Sequence, residues 1–134
     1  MKLENNWQQK SLQLLEKKDY GTPPYDSHVV TRVFQLRKIP LNQFTKEDMR
    51  LMIGQQEGLP YLIRLAIDIL NDDLFAEGDF YPGDLLQNVL RVKPPFWTAN
   101  KDLWQQVDNL IKNKILLIHK HKISLDSFYS GAND

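Results

Sequence analysis

The chain has 134 residues, 42% of them hydrophobic and 10% aromatic, which suits one domain with a real core. Seventeen Lys and Arg balance seventeen Asp and Glu, so no net field draws the protein toward nucleic acid or an acidic membrane surface, and neither is expected as a partner. The absence of cysteine excludes a disulfide framework, a thiolate nucleophile and a Cys-based zinc site.

The polar opening MKLENNWQQK lacks the apolar region of a signal peptide, and a cytoplasmic location is expected. Leu3, Trp7, Leu14 and Leu15 recur at helical spacing and predict a first helix from Leu3 to about Asp19, stopped by Gly21, Pro23 and Pro24. Ser27 suits the N-cap of a second helix, with Val29, Val30, Val33, Phe34 and Leu36 on its apolar face and Arg32, Arg37 and Lys38 on a solvated one. Pro40 ends it. Thr45 and Asp48 have the layout of a capping box and open a third helix running to about Gln56, with Gly58 as its stop.

A fourth helix starts at Pro60 and is apolar on nearly every side, the signature of the buried centre of a fold. Its polar positions Arg64, Asp68, Asn71 and Asp72 form one narrow stripe, along which Arg64 and Asp68 are spaced to pair. A loop from Asp73 to Tyr81 leads to a fifth helix with Leu85, Leu86, Val89 and Leu90, closed by Lys93, Pro94 and Pro95. A sixth helix, from about Thr98 or Asn100, places Leu103, Trp104, Val107, Leu110, Ile111 and Ile118 on one face. Between Leu117 and Ile123 continuation of that helix is preferred over a short edge strand, and from Ser124 the absence of a sustained period predicts a loosely docked tail. The expectation is therefore an all-α fold, residues 1–134 forming a single compact domain of about six helices with a short C-terminal tail.

Chemistry is sparse along this chain. His119 and His121 point the same way only on an extended strand; on a helix they diverge, and the lysines beside them repel a cation, so no metal site is expected. His28 directly follows Ser27, and adjacent helical side chains do not face each other, which disfavours a nucleophile and base pair. Gly54 and Gly58 lack the pattern of a phosphate loop. The outlier is residues 65–90, where Asp68, Asp72, Asp73, Glu77, Asp79 and Asp84 meet no Lys or Arg. The carboxylate spacing does not follow a calcium loop. Three roles compete for it, one of them acid/base work by paired carboxylates at Glu77 to Asp84. Asp79 and Asp84 could cap the fifth helix while Phe80, Tyr81 and Pro82 pin the loop to the core. Alternatively, carboxylates beside tyrosines could grip the Arg and Lys residues of a basic protein.

The segments YDSHVV (25–30), KIPL (38–41), FTKEDMRLMIGQ (44–55), GLPYLI (58–63) and EGDFYPGDLL (77–86), in this order and spacing, resemble bacterial contact-dependent growth inhibition (CDI) immunity proteins over about residues 11–92. The resemblance places Tyr25, Ser27, His28, Glu47, Asp48, Arg50, Gly54, Glu77, Asp79, Tyr81, Pro82 and Asp84 in the family pattern. It implies a small, cofactor-free cytoplasmic protein, not an enzyme, that binds and neutralises the C-terminal toxin domain of a cognate effector. Many such toxins are nucleases, with basic grooves that an acidic surface would fit. The candidate toxin-binding residues are Glu77, Asp79, Tyr81, Asp84, Asp72, Asp73, Tyr25 and His28. The alternative is a helix-turn-helix regulator using Arg32, Arg37, Lys38, Lys46 and Arg50 on phosphates, against which stand the carboxylates of the TKED opening of the third helix.

Overall fold

A computed structural model describes residues 1–131, and all regular structure within them is helical. After a 3-10 turn at Trp7–Gln9, the helices are α1 (Leu12–Glu16), α2 (His28–Leu36), α3 (Lys46–Gly54), α4 (Leu59–Asp72), α5 (Asp84–Leu90), α6 (Pro94–Ala99), α7 (Lys101–Ile111), α8 (Ile115–Lys120) and α9 (Asp126–Gly131). A second 3-10 turn, Leu41–Gln43, joins α2 to α3. The fold class expected from the sequence holds, with more and shorter helices than the six it suggested.

Helix α4 is the axis of the fold. Its residues Leu59, Tyr61, Leu62, Ile63, Ala66, Ile67 and Leu70 are buried, and α3, α5 and α7 pack around it. The polar stripe is where the spacing placed it, with Asp68, Asn71 and Asp72 exposed. The pairing along the stripe differs: Arg64 Nε donates back to the Pro60 carbonyl at 3.0 Å, supplying a partner to a first-turn oxygen instead of to Asp68.

The caps expected of Ser27 and Thr45 are present. Ser27 Oγ accepts from Val30 N, and the capping box is complete: Asp48 N donates to Thr45 Oγ1 (3.1 Å) and Thr45 N to an Asp48 carboxylate oxygen (3.0 Å). The stop of α3 comes earlier than expected. The helix ends at Gly54, Gln56 takes the left-handed conformation, and Gly58 serves as the N-cap of α4.

Two other expectations need correction. The first helix is broken because Ser11 caps α1 through Leu14 N and Lys17 is left-handed, leaving only Leu12–Glu16 α-helical. The expected sixth helix is two, α7 and α8, separated by a turn over residues 112–114, and Pro94, expected to close the fifth helix, instead opens a further short helix, α6, that Asn100 separates from α7. Between Leu117 and Ile123 the helix preferred over a strand is present as α8 followed by a turn, separate from α7 instead of continuous with it.

Within the expected tail, residues 125–130 are docked by chemistry that periodicity could not reveal. Phe128 is fully buried, stacked on Trp104 with centroids 5.1 Å apart and edge-on to Trp97 at 5.3 Å. Trp104 Nε1 donates to the Phe128 carbonyl, and the Tyr129 hydroxyl donates to Asp108 at 2.8 Å. Upstream, the buried Gln87 amide grips Ser124 from both sides, accepting from its N–H (2.9 Å) and donating to its carbonyl (3.2 Å).

Arg37, expected on a solvated face, is buried. Its guanidinium pairs with Glu16 and Glu57, donates to the Lys18 carbonyl and lies 3.7 Å from the centroid of the Tyr20 ring. One cation thus gathers α1, the chain after it and the linker before α4.

Removing the Phe128 ring deletes the centre of the aromatic cluster, so Phe128→Ala should cost about 3–5 kcal/mol in denaturant unfolding. Burial and the bond to Asp108 raise the Tyr129 pKa from 10.0 to about 12. A raised pKa stabilises the fold fully below the unfolded value and loses that contribution as pH rises through the folded one. Stability should therefore fall between about pH 10 and 12, and Tyr129→Phe should flatten that slope in unfolding titrations.

Candidate functional site

The acidic stretch runs from the second half of α4 into α5, and the loop between the two helices is closed by an isolated antiparallel bridge between Glu77 and Pro82. Gly83 stands at φ 89° as the N-cap of α5, a conformation that favours glycine. Asp84 is the first residue of that helix, and its carboxylate turns back into the loop. Asp84 Oδ1 accepts from Gly78 N at 2.6 Å, and Oδ2 accepts from Phe80 N (3.1 Å) and Tyr81 N (3.5 Å). The remaining amide of the run, Asp79 N, donates to Glu47 Oε1 at 3.0 Å. Four consecutive N–H groups, 78 to 81, are thereby satisfied by two carboxylates of the protein itself, a nest filled from within.

Glu47 comes from α3 and is held in turn by Arg50, whose Nε and one terminal nitrogen donate to its two oxygens, each at 2.6 Å. This fork favours the charged carboxylate, and together with the Asp79 amide it outweighs burial and lowers the Glu47 pKa; the same contact raises that of Arg50. The Arg50 guanidinium also lies 4.3 Å from the centroid of the Phe80 ring. Gly78 is required by proximity, since a Cβ there would stand 2.6 Å from Glu47 Oε1. A second tie runs from α3 to α2, where Arg32 donates to Asp48 at 3.1 Å.

The candidate residues divide accordingly. Asp84 is 1% exposed with its carboxylate consumed by the loop, so it supports the site from beneath and offers no surface to a partner. It does not cap α5 in the expected way, and neither does Asp79, whose backbone is what the frame uses. Glu77, Asp79 and Tyr81 are exposed around the loop, and Asp72 and Asp73 are exposed at the end of α4, Asp73 also accepting from Phe75 N. Tyr25 is 64% exposed and His28 is exposed at the start of α2.

Phe80, Tyr81 and Pro82 do not pin the loop to the core. All three are exposed, Phe80 by 67% and Tyr81 by 41%. Phe80 was missed as a surface residue because a pair of aromatics followed by a proline reads as an anchor. No local signal places it outside, because the loop is held without apolar burial by carboxylates, one of them Glu47 from α3, 32 residues before the Asp79 amide that it accepts from.

The helix-turn-helix alternative loses its cations. Arg32 pairs with Asp48, Arg37 is buried with Glu16 and Glu57, and Arg50 is committed to Glu47, which leaves Lys38 and Lys46 exposed. His119 and His121 have separate surroundings: His119 is exposed and His121 stacks on Phe75 at 3.8 Å. Among the described residues, no three His, Asp or Glu side chains gather as metal ligands. A surface groove of about 150 Å³ is lined by Val29, Val30, Val33, Phe34, Gln55 and Glu57.

The all-helical body thus carries an exposed loop of acidic and aromatic side chains whose backbone amides are held by two of the protein's own carboxylates. Residues 14–107 match the family model for CDI immunity proteins, and the chain belongs to that family, whose members are toxin inhibitors without enzymatic activity. No curated protein and no solved structure matches the chain.

Glu47 supplies a pH test of the frame. A depressed carboxylate pKa contributes stability above its unfolded value, 4.5, that is lost as pH falls through the folded value. Acid titration should therefore show stability dropping below about pH 4.5, with the drop shallower in Glu47→Gln and the Phe80 environment loosened in the same variant.

Proposed function

We propose that the protein binds the C-terminal toxin domain of a cognate CDI effector and neutralises it by occlusion, using the projection formed by Glu77, Asp79, Phe80 and Tyr81. The observation that carries this reading is the framed loop. Its backbone amides are tied to Asp84 and Glu47, while two carboxylates and two aromatic rings face solvent. Preorganisation lowers the ordering cost of binding, and exposed aromatics on a rigid frame are the residue type that anchors protein interfaces. Tyr25, His28, Asp72 and Asp73 extend the contact surface.

No cation pairs with Glu77 or Asp79 among the described residues. Their charge is therefore free to steer a basic partner, and a nuclease toxin with a phosphate-binding groove is the partner it fits best. Such a groove would be covered by the carboxylates in place of phosphates, with Phe80 and Tyr81 excluding water at the centre. Among the described residues no helix is long and apolar enough to cross a membrane, and the proposed site of action is the cytoplasm, where an imported toxin meets its inhibitor.

The test is the pair Glu77→Lys and Asp79→Lys, measured against the toxin domain encoded beside the immunity protein. Binding should weaken by about tenfold or more, chiefly through slower association at low salt, while the helical circular dichroism stays unchanged. Unaltered affinity would remove the loop from the interface.

A further inference from the structure

The neutral total conceals a second polarised surface, opposite in sign to the first. From Asn109 to Leu125 the sequence contains Lys112, Lys114, Lys120 and Lys122, His119 and His121, and no Asp or Glu. Among the described residues none of these lysines forms an ion pair. The flanking carboxylate of Asp108 is turned to the Tyr129 hydroxyl.

Helix α8 sits at the middle of this segment with Ile118 fully buried as its anchor, which fixes what the opposite face presents. Leu116 and Lys120, four residues apart and so one above the other, lie on that outer face. Leu116 is 82% exposed and the adjacent Leu117 44%. Beside them a shallow groove of about 450 Å³ runs along residues 112–117. Two exposed leucines on a short helix, ringed by unpaired lysines, have no function in the acidic loop's contact. The basic segment meets the acidic loop where His121 stacks on Phe75 and where Ile123 packs at Gly83.

The composition of this patch discriminates among anionic partners. Protein interfaces favour arginine and aromatic anchors and are depleted in lysine. Nucleic-acid surfaces use arginine forks and stacking rings. Residues 109–125 contain no arginine and no Phe, Tyr or Trp. Lysines distributed as mobile point charges around protruding aliphatic side chains match a lipid surface, where ammonium groups lie among anionic headgroups and leucines enter the acyl boundary. We propose that α8 and its flanking lysines form a reversible docking site for an anionic phospholipid bilayer. The protein lies on the membrane through this patch and does not span it.

The test is sedimentation of the full chain with vesicles of equal parts phosphatidylglycerol and phosphatidylcholine, compared with pure phosphatidylcholine. The protein should associate with the anionic vesicles only, and the bound fraction should fall as salt shortens the Debye length. Leu116→Ser should lower the partition about tenfold and Lys120→Gln about fivefold. Both positions are exposed, and unchanged circular dichroism separates a binding loss from unfolding. Equal association with both vesicles, no association with either, or wild-type binding by both variants overturns the proposal; an acidic protein as the occupant predicts the second of these. The toxin-binding loop is intact in these variants, so this result is independent of the reading given above.

Discussion

Two inward-facing carboxylates hold the arrangement together. Asp84 and Glu47 accept from the four amides of residues 78 to 81, and without them those amides would either seek water or collapse the loop onto the core. Each carboxylate is anchored to a different helix, so the loop is stretched between α5 and α3, two helices that pack directly on one another. Helix α3 also holds α2 through Asp48 and Arg32. A few charged side chains in the middle of the sequence thereby set the relative positions of every element around the candidate site.

The same arrangement explains how an acidic stretch persists without neighbouring bases in sequence. Repulsion among carboxylates is relieved by sending one of them inward to backbone dipoles and leaving the others in solvent, where screening is strong. The compensating guanidinium arrives from α3, more than twenty residues upstream of the loop. Arg50 contributes twice, once by fixing the Glu47 carboxylate and once by lying against the Phe80 ring, so the charged frame and the aromatic projection share a support.

Much of this fold was legible, for identifiable reasons. The capping residues Ser27 and Thr45 announce helix starts through side-chain chemistry that acts within three residues, and the apolar run of α4 announces burial without any tertiary information. What remained hidden depends on contacts far apart in sequence. Lys17 in a left-handed turn, the break at Asn100 and the short helix α9 are set by tertiary packing around Arg37, Trp97 and Phe128, none of which leaves a periodic trace. At the site, the acidic and aromatic content was readable, but which carboxylate faces in was not. Asp84 and Asp79 look alike in sequence; only the nest of amides and the incoming Glu47 distinguish the buried one from the exposed one.

The frame also has a consequence for how such a surface can diversify. Glu77, Asp79 and Tyr81 contribute backbone groups to the closed loop, while their side chains lie outside it. Their chemical identity is therefore decoupled from the energetics of folding. Substitutions at these three positions would change the charge and shape of the exposed surface while leaving the hydrogen-bonded frame beneath it in place.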